Sequence, residues 1–246
     1  MLTMSETVAF FPSRSFRGGI LLIAAILGPT AAIGAPAPPY LHAPAVDAYA
    51  RHDPNGVTIL PNGRHLKPVG KHLPLARWPH GLVMSRDGSK LLVASDGVGQ
   101  ILSGWQTDSP QVTELRPPKP DAKKKSRLNA GGADFSPDGR TLYWSSGERG
   151  TVFVFDTESR EMLAEISLNV EVDGKKFDDS YAADIKVSGD GLHVYCADVT
   201  NFRLAVIDTN GRRVVGSTGV GRYPYALAVS GDRVLVANIG LFEYSP

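Results

Sequence analysis

A fourfold internal repeat constrains this chain more than any other feature of its sequence. Each copy consists of an apolar run, a turn that contains a serine and an aspartate, and a second apolar run. The copies begin at His80, Gly131, Ala182 and Tyr225, and their turn serines are 51, 52 and 42 residues apart. A self-similar period of this length is typical of repeat architectures, in which each unit packs on its neighbours.

Further strand-like segments extend the repeats to four strands each. In the second copy they are residues 151–156 and 161–166, and in the third copy they are residues 203–208 and 212–217. Four short antiparallel strands in about 40–50 residues are typical of a β-propeller blade, whose strands are lettered a to d from the centre outwards. The sequence therefore predicts an all-β fold, a β-propeller of four-stranded antiparallel blades. A β-sandwich also has short strands, but it does not explain why the motifs return in one order.

The strand count predicts an incomplete propeller of three full blades plus two half blades. Residues 57–71 match the outer strand pair of the third copy through a shared Asn-Gly turn, and residues 226–238 supply an inner pair. Propellers close with typically 4–8 blades. The two halves could therefore join into a four-bladed ring, or the ring could be larger and truncated. The second alternative is favoured because the sequence ends within a motif.

The first 35 residues have the pattern of a secretory signal peptide. Arg14 and Arg17 precede an apolar stretch at residues 19–34, which is short for a membrane span and is interrupted by Pro29. A Pro/Ala-rich linker is predicted at residues 36–55, followed by the propeller at residues 56–246. We therefore expect an exported protein, periplasmic or extracellular, without a membrane segment after cleavage.

Charge and cysteine content narrow the classes of partner and site. The 26 basic and 25 acidic residues give a net charge of +1, whereas nucleic acids and anionic membranes are bound by strongly basic surfaces. We therefore expect no nucleic-acid partner. The single cysteine, Cys196, excludes an intrachain disulfide, and its place in an apolar strand predicts a small buried residue rather than a catalytic thiol.

Two features resemble the YVTN-repeat β-propeller family. One is the strand pattern at residues 91–105, 142–156, 194–208 and 234–245, and the other is the strand entry at Arg77-Trp78-Pro79-His80 and Arg222-Tyr223-Pro224-Tyr225. The order of signal peptide and propeller is similar to that of exported proteins in which the propeller precedes a phosphoesterase domain of the alkaline phosphatase superfamily. The resemblance implies that such a fused domain would carry the metal ligands and the nucleophile. Related propellers include lactonase-like enzymes and quinoprotein dehydrogenases, and no motif here selects either.

Four polar residues near the starts of the innermost strands form the candidate ligand site: His80, Asp134, Asp184 and Tyr225. Such groups at the rim of a propeller channel could hold a divalent metal or a small ligand. Alternatively, they could hydrogen-bond to backbone groups at the crowded inner rim. Asp134 and Asp184 lie at different distances from their turn serines, which argues against a repeated site. The sequence identifies no catalytic residue and no cofactor motif.

Two long connections lie on the loop-rich face, which is formed by the b–c loops and the links between blades. One carries the basic residues Lys123, Lys124, Lys125 and Arg127, and the other carries Asp173, Asp178 and Asp179. The first could attract an anion and the second could bind Ca²⁺, although solvated surface loops are the commoner explanation. Three tryptophans, Trp78, Trp105 and Trp144, are interpreted as core residues.

Three hypotheses of function follow. The first is an exported propeller that serves as a binding or scaffold module, whose partner at the loop-rich face is an unknown small molecule, a protein or a fused domain. The second is a lactonase-like small-molecule hydrolase with a metal near His80, Asp134 and Asp184. The third is a structural surface-layer repeat protein that binds no ligand.

Overall fold

The computed structural model describes residues 48–53, 56–67, 69–70, 73–95, 97–119 and 132–240, and within these ranges every regular element is a β-strand. The predicted signal peptide, most of the linker and the four basic residues of the first long connection lie outside the described residues. Within those ranges, no helix is long and apolar enough to cross a membrane. The chain divides into two compact units, residues 1–70 and residues 71–246.

The first unit contains one short hairpin. Its strands are β1 (Thr58–Ile59) and β2 (His65–Leu66), which pair antiparallel. The predicted Asn-Gly turn joins them, and Gly63 adopts a φ of 74°, a left-handed conformation that glycine enters without steric cost. The sequence prediction of an antiparallel pair here is therefore confirmed.

Among the described residues, the second unit contains three sheets of four antiparallel strands, each in the simple order a-b-c-d, and two sheets of two strands. Blade 1 is β3 (Gly81–Met84), β4 (Lys90–Ser95), β5 (Val98–Ser103) and β6 (Gln111–Leu115). Blade 2 is β7 (Ala133–Phe135), β8 (Thr141–Ser145), β9 (Thr151–Asp156) and β10 (Met162–Ser167). A two-stranded hairpin follows, β11 (Glu171–Val172) and β12 (Lys175–Lys176). Blade 3 is β13 (Ala182–Val187), β14 (His193–Asp198), β15 (Arg203–Asp208) and β16 (Arg213–Gly219), and the C-terminal sheet is β17 (Pro224–Ser230) and β18 (Arg233–Asn238).

This architecture is an incomplete β-propeller, as the sequence predicts. The third strand of blade 2 illustrates why the segments form strands. Its sequence, TVFVFD, consists mostly of β-branched and aromatic residues, which fit a pleated surface, and all but the last residue are buried. Both faces of the strand are covered because neighbouring blades pack on each side.

Hydrophobic clusters join each sheet of the second unit to the next. The first cluster combines blades 1 and 2 through residues such as Leu92 and Phe153, and the second combines blades 2 and 3 through Val152 and Ile185. The third combines blade 3 with the C-terminal sheet through Leu227 and its neighbours. Cys196 lies fully buried in the second cluster, and burial raises the pKa of its thiol, which confirms the interpretation of a buried residue.

The a–b turns of the three full blades share one set of contacts. The turn serine hydroxyl donates to the aspartate two residues later and accepts the amide N–H that opens the next strand, as in Ser85 with Asp87 at 2.7 Å and Lys90 at 2.9 Å. A glycine with positive φ follows each aspartate. Ser136 and Ser188 repeat these bonds with Asp138 and Asp190. The recurring motif is therefore explained by turn geometry.

Candidate functional site

The candidate site divides between two places on the loop-rich face, the starts of the innermost strands and the b–c end of blade 3. The a–b turns form the opposite face, called the turn face below. Their aspartates serve the turns: the Ser85 hydroxyl and the Ser89 amide hold the pKa of the Asp87 carboxyl at about 2. Serine hydroxyls likewise lower the pKa of Asp138 and Asp190. These carboxylates are therefore ionised near neutral pH and accept hydrogen bonds within their own turns.

The two rim aspartates have the same structural role in successive blades. Asp134 accepts the amide N–H of Phe135 at 2.9 Å and that of Val187 in blade 3 at 2.9 Å. Asp184 accepts the amide N–H of Ile185 at 2.9 Å and that of Leu227 in the C-terminal sheet at 2.8 Å. Each carboxylate thus links its own strand to the innermost strand of the next sheet. The two aspartates share this linking role although they lie at different distances from their turn serines.

The electrostatic setting of Asp134 reflects its position at a blade joint. Partial burial raises the pKa of its carboxyl, while the Val187 amide and the charge of Lys186 oppose that rise. Lys186 also forms an ion pair with Asp184 at 3.2 Å. Backbone donors and one lysine therefore already engage the carboxylates that the sequence offered as metal ligands.

The other two rim residues are exposed and are not joined to these aspartates. His80 donates its backbone N–H to Ala94, and its ring is exposed. Tyr225 is also exposed and lies near Tyr181. Burial is the main cause that raises the pKa of the Tyr181 hydroxyl, and Tyr225 raises it further. None of the four predicted site residues hydrogen-bonds to another, and the described ranges contain no group of three or more His, Cys, Asp or Glu that could hold a metal.

A buried ion pair lies at the b–c end of blade 3. Asp198 ends β14 and Arg203 begins β15, so the strand register places them opposite each other, and their side chains are 0% and 1% exposed. The Arg203 Nε donates to Asp198 at 2.8 Å, and Nη2 donates to the Leu168 carbonyl at 2.5 Å. Asp198 also accepts from the Tyr181 amide and from the Asn201 side chain.

Phe177 completes the surroundings of this ion pair. The guanidinium carbon of Arg203 lies 3.6 Å from the centre of the Phe177 ring, a stacked cation–π contact, and the Lys175 ammonium lies 5.0 Å from the same ring. The remaining nitrogen, Nη1 of Arg203, is buried and has no hydrogen-bond partner among the described residues. The buried guanidinium is thus held by an ion pair, a hydrogen bond to a carbonyl and a ring contact, which together fix the geometry of this end of the blade.

The β11–β12 hairpin borders an open pocket above this ion pair. The long acidic connection, residues 169–181, is partly ordered, because an Asp173-Gly174 turn with two positive φ angles folds its middle into a hairpin. The pocket, called the hairpin pocket below, has a volume of about 210 Å³. Its lining includes Lys175, Phe177, Asn201, Phe202, Arg203 and Ser217. Of the predicted calcium ligands, Asp178 pairs with Lys176 at 3.2 Å.

Aromatic side chains project from the same face. Trp78, Phe202 and Tyr223 all have positive φ, an unusual conformation for bulky residues, and Trp78 and Tyr223 each precede a proline. Phe202 and Tyr223 meet edge to face, with ring centres 5.2 Å apart. The interpretation of Trp78 and Trp105 as core residues is wrong because both are exposed, whereas Trp144 is buried as expected.

Sequence reasoning missed the ion pair and the hairpin pocket. The ion pair depends on strand register across a loop, which the separate positions of Asp198 and Arg203 do not reveal. The hairpin has a local signal, because an Asp-Gly pair between short apolar or charged segments favours a type I′ turn. That signal was present in the sequence at Asp173-Gly174.

Comparison with known proteins supports the fold and does not assign a family. No protein-family model matches the chain, and no curated protein matches it. Among solved structures, the chain is similar to hydrazine synthase of Kuenenia stuttgartiensis, with 23% identity, a TM-score of 0.53, and coverage of 71% of this chain and 47% of that chain. It is also similar to the periplasmic gluconolactonase PpgL of Pseudomonas aeruginosa, with 22% identity, a TM-score of 0.52, and coverage of 74% and 55%.

A third similar structure is a candidate 6-phosphogluconolactonase from Bacteroides uniformis, with 17% identity, a TM-score of 0.51, and coverage of 74% of this chain and 56% of that chain. The chain therefore spans about half the length of the structures it matches. Identities below 25% show the β-propeller fold and leave the activity open.

Proposed function

We propose that this chain is a binding and scaffold module of an exported β-propeller protein, and that the hairpin pocket on its loop-rich face holds the ligand. The observation that carries the proposal is the Arg203–Asp198–Phe177 arrangement beneath the pocket. The same positions in blade 1 are Ser95 and Val98, and in blade 2 they are Ser146 and Thr151. Blade 3 alone among the three described full blades has a buried ion pair there.

The lining of the hairpin pocket favours a small polar molecule with several oxygens. Lys175, Asn201 and Ser217 offer a cation, an amide and a hydroxyl, while Phe177 and Phe202 offer apolar ring surfaces. Binding sites commonly combine apolar walls with a few polar groups that fix orientation. A volume of about 210 Å³ corresponds to roughly seven water molecules at ~30 Å³ each. Sugar acids and their lactones have this size and chemistry.

The test uses two matched glycine variants. A side chain added at Gly219 would enter open space at the pocket, and one added at Gly189 would enter open space on the turn face. We expect gluconate at millimolar concentration to raise the melting temperature of the wild-type chain and of Gly189→Trp, but not that of Gly219→Trp. An equal response in both variants would place binding elsewhere, and no response in the wild type would reject this ligand class.

A lactonase-like hydrolase is the second candidate, because two of the similar structures carry lactonase names. It would place a divalent metal near His80, Asp134 and Asp184. The backbone bonds of both aspartates disfavour this role, since each carboxylate would have to exchange an amide donor for the metal. Purified protein with stoichiometric metal that Asp184→Ala releases, together with metal-dependent hydrolysis of glucono-1,5-lactone, would establish it over the binding proposal.

A fused phosphoesterase domain, as the YVTN resemblance implies, would be a partner rather than a competing function. The loop-rich face would then present its ligand to that domain. Export, to the periplasm or beyond, belongs to the same proposal and is tested by fractionation of cells that produce the whole chain. Accumulation of a shortened form in the periplasm is expected, and retention of the full-length form in the cytoplasm would contradict it.

A further inference from the structure

Four Asp-Gly pairs lie wholly among the described residues, and in all four the glycine has a positive φ. Three belong to the a–b turns of the turn face: Asp87-Gly88, Asp138-Gly139 and Asp190-Gly191. The fourth, Asp173-Gly174, joins β11 to β12. An aspartate before glycine isomerises readily, because glycine has no side chain to hinder the attack of its amide nitrogen on the preceding carboxyl. The four pairs share this chemistry, so their surroundings decide which of them reacts.

Hydrogen bonds hold both reacting groups of each pair on the turn face. The Asp87 carboxylate accepts the Ser85 hydroxyl at 2.7 Å and the Ser89 amide N–H at 3.0 Å. The Gly88 N–H donates to the Ser85 carbonyl at 2.9 Å. These bonds must break before the amide nitrogen can reach the carboxyl carbon. The other two turns repeat them at Asp138-Gly139 and Asp190-Gly191.

The pair at the tip of the β11–β12 hairpin has neither protection. Val172 pairs with Lys175 across the turn, so both turn residues lie outside the strand ladder. Among the described residues, neither the Asp173 carboxyl nor the Gly174 N–H has a hydrogen-bond partner, and both residues are exposed. The two strands have only two residues each, and a hairpin of this size opens locally at little cost.

We propose that Asp173 is a site of spontaneous isoaspartate formation and that the three aspartates of the turn face are protected from it. The Gly174 nitrogen attacks the carboxyl carbon of the Asp173 side chain and forms a C–N bond. The proton of that nitrogen and the hydroxyl of the carboxyl group leave as water, which gives a five-membered succinimide. Water then adds to one of the two ring carbonyls and cleaves its C–N bond. No oxidant, reductant or cofactor takes part.

Hydrolysis has two products, the original aspartate and isoaspartate. In isoaspartate the chain runs through the Asp173 Cβ, and the former backbone carbonyl carbon becomes a carboxylate. The turn gains one backbone atom, so it no longer fits the pairing of Val172 with Lys175. Asp173 and Lys175 both line the hairpin pocket, so isomerisation alters a wall of that pocket. The reaction itself does not depend on the proposed function or on any ligand.

Peptide mapping of the whole chain, kept at neutral pH below its melting temperature, tests the proposal. A protease that cleaves before aspartate and not before isoaspartate identifies each converted site. We expect conversion at Asp173 to be at least about tenfold faster than at Asp87, Asp138 and Asp190, because each of those pairs must first lose two or more hydrogen bonds. Deamidation at Asn62-Gly63 or Asn210-Gly211 changes the peptide mass and is counted separately.

Two variants test the cause of the difference. Ser85→Ala removes a hydroxyl donor from Asp87, so conversion there should rise about threefold or more, while Asp138 and Asp190 keep their rates. Asp173→Glu should abolish conversion at residue 173, because glutamate would have to form a six-membered ring, which closes far more slowly.

Equal rates at the four pairs, or faster conversion on the turn face, would overturn the proposal. So would an unchanged rate at Asp87 in Ser85→Ala. None of these measurements contains gluconate, so their failure is separate from a failure of the proposed binding function.

Discussion

On the turn face, the three full blades repeat one set of contacts, whereas at their b–c ends the same blades carry three different residue pairs. Each a–b turn uses a serine, an aspartate and a glycine in the same hydrogen bonds. At the b–c ends, Ser95 faces Val98 and its hydroxyl has no partner among the described residues, while Ser146 bonds to Thr151 at 2.8 Å. In blade 3 the pair is Asp198 and Arg203.

This comparison distinguishes the a–b turns, which build the scaffold in every blade, from the b–c ends, whose residue pairs vary from blade to blade. A contact that recurs in every blade is required by the turn that every blade shares. A pair that changes while the strands remain alike is free to acquire a specific role. The buried ion pair of blade 3 is costly to desolvate, and it lies beside the hairpin pocket, which makes this end the place to look for binding.

The largest effect is expected from breaking the ion pair of blade 3. Arg203→Thr leaves the Asp198 carboxylate buried without its counterion, which should lower the free energy of unfolding by about 3–5 kcal/mol. The double variant Asp198→Ser with Arg203→Thr copies the pair of blade 2 and should recover more than half of that loss. Urea unfolding measures both. Additive losses in the double variant would show that the two side chains act independently.

A smaller effect is expected at the joint between blades 2 and 3. A Cβ added at Gly132 would lie 2.1 Å from the Ala183 carbonyl oxygen and 2.7 Å from the Asp184 Cα, so the two strands would have to separate. Gly132→Ala should cost about 1–3 kcal/mol of unfolding free energy. Gly189→Ala is the matched control because its Cβ would meet nothing, and a similar loss in both variants would contradict the account.

The smallest effect is expected on the turn face. The pKa of Asp87 is lowered in the folded chain from 3.8 to about 2, so folding favours its ionised form. This contribution is present above the unfolded value and is lost as the pH falls through the folded value. Asp138 and Asp190 act in the same direction. Replacing the three by asparagine should reduce the loss of stability seen on acidification below about pH 4, as measured by urea unfolding at several pH values.

Sequence predicts the repeated features of this molecule because each has a local cause. Alternating apolar residues define the strands, and the Ser-x-Asp-Gly pattern defines the turns, so the propeller and its strand order follow. The roles of Asp134 and Asp184 escape sequence comparison because their second hydrogen-bond partner lies in the next sheet, at Val187 or Leu227. The same holds for Leu82, whose exposure depends on whether another sheet covers it.

The hairpin pocket escapes prediction for a different reason. Residues 169–181 differ in sequence from the equivalent connection between blades 1 and 2, so comparison between copies gives no information about them. The pocket also depends on Phe177 stacking against Arg203, two residues that are far apart in the sequence and that meet where the β11–β12 hairpin lies against blade 3. The proposed binding site therefore lies beside a segment about which comparison between the repeats gives no information.

Amide hydrogen exchange of the whole chain, with and without millimolar gluconate, shows directly whether the ligand binds at the hairpin pocket. We expect gluconate to slow exchange in residues 171–177 and 201–203, which border the hairpin pocket, and to leave exchange on the turn face unchanged. Slower exchange around His80, Asp134 and Asp184, with none at the hairpin, would instead place the site at the channel rim and contradict the account.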